Sequence, residues 1–302
     1  MAESASRMST RHERPAGGSI LPFATVFAVV LIVWYAGAVL LNAPQAKAVL
    51  PPADRGHLWA LLSACWTMQR PELPAPHQVL FTLGHSLFDN PLTSPRNFLY
   101  HMAVTAKETL AGLLLGLLLG IAVAAGIIRW RTLDRSLMPW VIASQTVPIL
   151  AIAPMVVVVL GNLGITGLFP KAAIAGYLCF FPITVAMVSG LRAADPLALD
   201  LMRTYSASNA QIFRLLRWPA SLGFLFPSLR VAVALAVVGA IVAELPTGAV
   251  AGLGARLLAG SYYGQTIDMW VALVLASLLA ILGLLGVRLV EMLVIAGRGG
   301  RL

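Results

Sequence analysis

The chain has 302 residues, 59% of them hydrophobic and only 11% charged, with a mean hydropathy of +0.85. Soluble domains run about 45–50% apolar and ~25% charged. This composition therefore excludes a disordered chain, a collagen-like chain and a disulfide-stapled secreted domain, and it leaves too little polar surface to cover a soluble enzyme. The net charge of +9 comes from 18 Arg and 3 Lys against 12 acidic residues. These basic residues fall in short clusters between apolar runs, which fits the positive-inside rule and not a nucleic-acid-binding surface. The expectation is an all-α polytopic protein of the lipid bilayer, with about six transmembrane helices and no nucleic-acid partner. Cys65 and Cys179 are far apart and share no metal spacing, so neither a metal site nor a cofactor is expected.

Residues 1–19 read as a polar tail, with Arg7, Arg11 and Arg14 against Glu3 and Glu13. Ile20 to Leu41 is free of charge and too long for the apolar core of a signal peptide, about 7–15 residues, so 20–41 is the first predicted span. Residues 42–100 form a long proline-rich loop. Within it, the apolar run Leu58 to Trp66 is too short to cross a bilayer; with Trp59 and Trp66 it suits the interface. A further interfacial helix fits around His77 to Phe88. The remaining five spans form a core over 101–295.

Thr109 to Ile128 carries Gly112, Gly116, Gly120 and Ala124, a stripe of small residues four apart that lets a second helix approach closely. A charge-free stretch from Ser136 to Pro170 predicts a helix over about 138–160, interrupted by Pro148 and Pro154, then a turn through Gly161, Asn162, Gly164 and Gly167. Proline inside a membrane helix frees carbonyls that must be satisfied in protein or by cavity water. Gln145, Pro148 and Pro154 are accordingly candidates for a polar pathway, the alternative being that the two prolines simply kink the helix. Spans follow at 172–191, 221–243 and 269–287. Glu244, at the end of the fifth, is the other pathway candidate, either lining an outer gate or capping structure at the interface. Pro246, five glycines and two tyrosines over 246–266 suggest a short re-entrant or surface helix. Residues 296–302 are a second tail.

Six spans place both termini on one side. With the N-terminus inside, 14 of the 21 basic residues are internal, and the short turns carry the asymmetry: Arg129, Arg131 and Arg135 flank one, while the turn at 161–169 has no charge. Both termini are expected to be cytoplasmic, with 42–100 outside.

The inner loop at 192–219 has a grammar of its own. Asp195-Pro196 is an N-cap followed by a first-turn proline, and 197–205 can run as a helix. Ser206 and Ala207 read as a turn. Ser208 with Gln211 makes a capping box that starts a second short helix, which Pro219 is expected to end. Leu201, Met202, Ile212, Phe213 and Leu216 would need burial against a partner.

The loop resembles the signature of the inner-membrane permease subunits of bacterial binding-protein-dependent ABC importers: E-A-A, three residues, G, nine residues, I-x-L-P. Here Asp200-Leu201-Met202 is followed after three residues by Ser206, and after nine more by Leu216-Arg217-Trp218-Pro219. The run from Ser206 through Ala207, Ser208 and Gln211 to Phe213 is similar to the family's G-A-S-x-x-Q-x-F. Pro227 to Arg230 resembles its P-x-L-R entry into the next helix. Ala243-Glu244 with Gly252-Leu253-Gly254 resembles the A-E…G-L-G segment of the nitrate, sulfonate and taurine branch, which also handles bicarbonate and pyrimidine vitamin precursors. Asp replaces Glu, Leu-Met replaces Ala-Ala, and Ser replaces the motif Gly. The resemblance implies a type I importer permease fold in the bacterial inner membrane. It also implies a path lined by two permease subunits, a homodimer here, with the loop docked on a separate ATP-binding subunit and cargo delivered by a periplasmic binding protein.

No G-x-x-x-x-G-K-[ST] loop occurs and none of the three lysines follows a glycine, so the chain is expected not to hydrolyse ATP itself. The five histidines show no paired ligand spacing that would mark a membrane enzyme. A proton- or ion-coupled secondary transporter is the alternative. It would place carboxylates deep in the membrane, whereas Glu108, Glu244, Asp268 and Glu291 lie near predicted span ends.

Overall fold

A computed structural model describes residues 20–245 and 249–297. The tail with Arg7, Arg11 and Arg14, together with Pro246, Arg298 and Arg301, lies outside them. Among the described residues there are twelve α-helices and no strand. Five helices are long and apolar enough to cross a membrane, and a bent pair makes a sixth crossing if counted as one span. The chain divides into two compact units, up to Gln78 and from Val79 onward.

In the first unit, α1 (Ile20–Val49) runs past the predicted end at Leu41 and straight through Pro44. The continuation is pinned by Asn42, which is fully buried. Its amide donates to the carbonyls of Cys65 (3.3 Å) and Leu73 (2.8 Å) and accepts from Leu73 N (3.2 Å). Cys65 belongs to α2 (Leu58–Thr67), the short apolar helix expected there. Burial pushes its thiol pKa up, partly offset by Lys47, so Cys65 is a packing residue and not a reactive one. Trp34 Nε1 donates to Pro74 O at 3.0 Å, and Tyr35 Oη meets His77 Nδ1 at 3.1 Å. Together these bonds tie the proline-rich 68–77 segment to α1.

The second unit is built on three helices. After α3 (Pro76–Asp89), whose first turn belongs to the first unit, comes α4 (Phe98–Arg129), opened by Asn97, whose side chain accepts from Leu99 N at 2.9 Å. It starts well before its charge-free stretch: Lys107 is exposed, and the buried Glu108 pairs with Lys171 at 2.6 Å. α7 (Leu168–Arg192) lies along α4 with the glycine stripe at the contact. A Cβ on Gly116 would stand 2.7 Å from both Cys179 Cβ and Gly176 O, and one on Gly120 would stand 2.8 Å from Ile183 Cγ2. α10 (Trp218–Glu244) completes the core, its Leu225, Phe226, Leu229 and Ala232 buried against Cys179, Ile183, Met187 and Leu191 of α7. α12 (Thr266–Ala296) packs outside this trio, its Glu291 paired with Arg230 of α10.

Between α4 and α7 the expected single helix is two. α5 (Arg131–Ala143) leads into a 3₁₀ turn at Ser144–Thr146, and α6 (Ile149–Asn162) follows, the pair bent by 104°. Of the two prolines expected to interrupt this stretch, Pro148 alone breaks it. Val147 before it is held extended (φ −78°, ψ 121°), as the pyrrolidine ring demands of its predecessor. Pro154 and Pro139 sit within α6 and α5.

Candidate functional site

The 192–219 loop folds from its caps. The Asp195 carboxylate accepts from Leu197 N at 3.0 Å and Pro196 opens α8 (Pro196–Thr204). Exposed Asp200 and Arg203 pair at 3.0 Å. The helix closes as a Schellman turn, with Ala207 N donating to Met202 O (3.0 Å) and Ser206 N to Arg203 O (2.9 Å). Ser206 occupies the left-handed position of that turn at φ 55°, the one non-glycine residue with positive φ among those described. Ser208 then caps α9 (Asn209–Ile212): its hydroxyl accepts from Gln211 N (3.3 Å) and its amide donates to Gln211 Oε1 (2.7 Å).

Pro219 does not end this second helix. A π-turn over Phe213–Arg217 hands the chain directly to α10, and Asn209–Glu244 forms one helix of 36 residues. The wider turn accommodates a residue with no N–H and a ring that would clash with an ordinary i−4 carbonyl. Of the apolar residues expected to need cover, Leu201 is exposed, Met202, Phe213 and Leu216 are half-buried and Ile212 is buried. Leu197, Tyr205 and Leu215 are also exposed. A cavity of about 460 Å³ separates the loop from the end of α4, with Arg129, Arg203 and Arg217 among its lining residues.

At the opposite end of α10, Glu244 is fully buried. Its carboxylate accepts from Thr105 Oγ1 (2.7 Å) and Gly254 N (2.5 Å), and Thr105 Oγ1 accepts in turn from Leu253 N (2.9 Å). Gly252 N donates to His101 Nδ1 (3.1 Å), while His101 Nε2 lies 2.7 Å from Pro95 O, so the ring is the Nε2–H tautomer. Together these bonds hold the start of α11 (Leu253–Tyr263). Gly252 has φ 129°, and a Cβ there would meet the Glu244 carboxyl. The A-E…G-L-G residues therefore form one clamp at the start of α11. His101 and Thr105 were not singled out in the sequence; their i, i+4 spacing on one face of α4 was the available signal.

Gln145, at the break between α5 and α6, lines a separate cavity of about 310 Å³ with Tyr177 and Phe181 of α7; neither aromatic was singled out in the sequence. Tyr177 Oη donates to Ser144 O at 2.5 Å, satisfying a carbonyl to which Pro148, four residues on, has no N–H to offer. Pro148 stands next to this cavity in sequence, whereas Pro154 lies half-buried within α6. Among the described residues no three His, Cys, Asp or Glu side chains converge as metal ligands would.

The family described as binding-protein-dependent transport system inner membrane component matches residues 113–294, a region that contains the loop, α7 and α10, the larger part of α4, and Glu244 with Gly252 to Gly254. The chain belongs to this family. A probable ABC transporter permease of Haemophilus influenzae is 32% identical over 208 residues, covering 66% of this permease and 83% of its own length. The formylaminopyrimidine transport permease of Halalkalibacterium halodurans is 32% identical over 231 residues, 75% and 86% of the two chains. A putative aliphatic sulfonates transport permease of Bacillus subtilis is 24% identical over 247 residues, 81% and 85%. The permease is thus an inner-membrane, multi-span ABC importer subunit of a non-catalytic family, and membership implies an ATPase subunit and a substrate-binding protein as its partners.

Proposed function

We propose that the chain forms the translocation path for a small solute and couples it to ATP hydrolysis on a separate subunit through residues 200–219, working as a homodimer. The observation that carries this reading is the loop itself. It is a doubly capped helix–turn–helix that displays Leu201, Tyr205 and Leu215 to the surface and continues without a break into a membrane helix. The cargo lies within the range named for the relatives and expected for the branch, a pyrimidine precursor or a sulfonate, nitrate or taurine. The test is reconstitution with the cognate ATPase and binding protein. Uptake is expected to require all three components and ATP, and the purified chain alone is expected to release no phosphate. Uptake driven by a proton gradient in vesicles lacking a nucleotide hydrolase would establish the secondary transporter instead; buried Glu108 and Glu244 would then be its candidate proton carriers.

The same reading orients the chain. Arg129, Arg131, Arg135, Arg192, Arg203, Arg214 and Arg217 gather at the loop end of the bundle, whereas the turn after α6 carries no charge; this asymmetry supports a cytoplasmic loop with both termini cytoplasmic and residues 42–100 periplasmic. Thr93 is exposed. In a background with Cys65 and Cys179 replaced, Thr93→Cys is expected to react with an impermeant maleimide on intact spheroplasts. Reaction only after lysis would invert the topology.

A further inference from the structure

The cavity at the helix break has a composition that bears on cargo. Tyr177 and Phe181 lie near the middle of the 25-residue α7, and Val231 and Leu235, which line the opposite side, lie near the middle of the 27-residue α10. The cavity therefore sits at mid-depth in the bundle. Non-helical backbone at that depth is tolerated only where it is buried in protein or lines a cavity, and the 104° break at Ser144–Pro148 does the latter. The lining is two aromatic rings, aliphatic side chains, the Ser144 backbone and the Gln145 amide, with no acidic, basic or histidine side chain among the described residues. The Ser144 carbonyl already accepts from Tyr177. The Gln145 amide is exposed, with no hydrogen-bond partner among the described residues, leaving two donors and an acceptor available.

These features discriminate between solutes by charge and shape. A sulfonate or nitrate keeps its charge at any physiological pH, and moving it into an apolar cavity without a cation costs many kilocalories. A flat uncharged ring loses little on leaving water, gains contact with the aromatic faces, and can exchange ring nitrogen and amine hydrogen bonds with an amide. We propose that this cavity is a transient binding site for an uncharged, planar nitrogen heterocycle, packed on Tyr177 and Phe181 with Gln145 bonded to its edge, and that this is the class of cargo the chain carries. The inference deepens the transport function above and rests on it.

The test uses the purified full-length chain in lipid nanodiscs and lumichrome, a flat uncharged heterocycle whose fluorescence reports binding, with empty nanodiscs subtracted. Saturable binding is expected, undisplaced by a hundredfold excess of ethanesulfonate or nitrate. Phe181→Leu and Gln145→Leu should each weaken it about tenfold, the size of one lost ring contact or amide bond. Leu235→Phe, which narrows the cavity without removing a contact group, should weaken it too and guards against misfolding of either other variant. No saturable binding, displacement by ethanesulfonate, or unchanged affinity in all three variants would overturn the proposal. Capture of the ATPase on the same preparations separates the two readings. Capture without lumichrome binding removes the site alone; lumichrome binding with neither capture nor ATP-driven uptake removes the coupling function and leaves the site.

Discussion

Ser206→Pro is expected to abolish ATP-driven uptake while the chain still inserts at normal levels. Ser206 sits at φ 55°, and proline fixes φ near −65°, so the left-handed turn cannot form. The substitution also deletes the N–H that reaches Arg203 O. α8 and α9 would then meet at a different angle, moving Leu201 and Tyr205 away from the position in which they are displayed. The local cost is about 1–3 kcal/mol, which a bundle of buried helices survives. A displaced docking anchor forfeits far more, since a few central residues carry most of an interface's energy. Asp200→Lys should act the same way by a different route, replacing the pairing with Arg203 by repulsion. Ser206→Gly should do the opposite. It removes the steric penalty of a Cβ in the left-handed region, about 1 kcal/mol, and should leave uptake equal or slightly higher. Immunoblotting of membranes, co-purification with the ATPase and vesicle uptake measure the three effects. If Ser206→Pro and Asp200→Lys both bind the ATPase and both transport, the loop has no coupling role.

The largest loss of stability is expected from Gly116→Leu. The stripe that Gly116 belongs to is where the α4 and α7 backbones touch, and even a methyl group there would overlap Cys179 Cβ and the Gly176 carbonyl. Because the obstacle is backbone and not the end of a flexible side chain, the two helices must separate along their length. Overpacking of a well-filled core costs about 1–3 kcal/mol when side chains can shift; here the cost should exceed that range and the chain should be cleared from the membrane. Gly223→Ala is the control, since nothing lies within 4 Å of the added carbon and alanine is the better helix former. The comparison is read as membrane abundance and as thermal unfolding in detergent. A Gly116→Leu chain that accumulates and melts like the parent would show that the stripe is not a packing seam.

What could be read in advance was local. The caps of the loop depend on residues within four positions of one another, so Asp195, Pro196, Ser208 and Gln211 announced their helices by spacing alone. The glycine stripe was equally plain, because its period is that of the helix. The prolines were not separable from sequence. Pro44, Pro148, Pro154 and Pro219 are chemically identical, yet only Pro148 breaks its helix. At Pro219 a π-turn absorbs the missing donor, and past Pro44 the helix is held by Asn42, bonded to Cys65 and Leu73. The contacts that decide these outcomes come from elsewhere in the chain. The Glu244 clamp failed to appear for the same reason, since Thr105 and Glu244 are 139 positions apart. Glu244 itself was noticed, but the partners that define its role were not.

The 36-residue helix from Asn209 to Glu244 has a mechanical consequence. At 1.5 Å per residue it is about 54 Å long, and both its ends are engaged: one by the capping box at Ser208, the other by the carboxylate that grips the start of α11. Its middle is packed against α7, with Leu225, Phe226 and Leu229 buried beside Ile183, Met187 and Leu191. A stiff body held near its middle behaves as a see-saw. Tilting it by about 10° would carry the two tips roughly 5 Å in opposite directions over this length. If residues 200–219 take up the motion of an ATPase subunit, as proposed above, a push at the Asn209 tip would arrive at the Glu244 tip reversed in sign, and closure at one end of the bundle would accompany opening at the other.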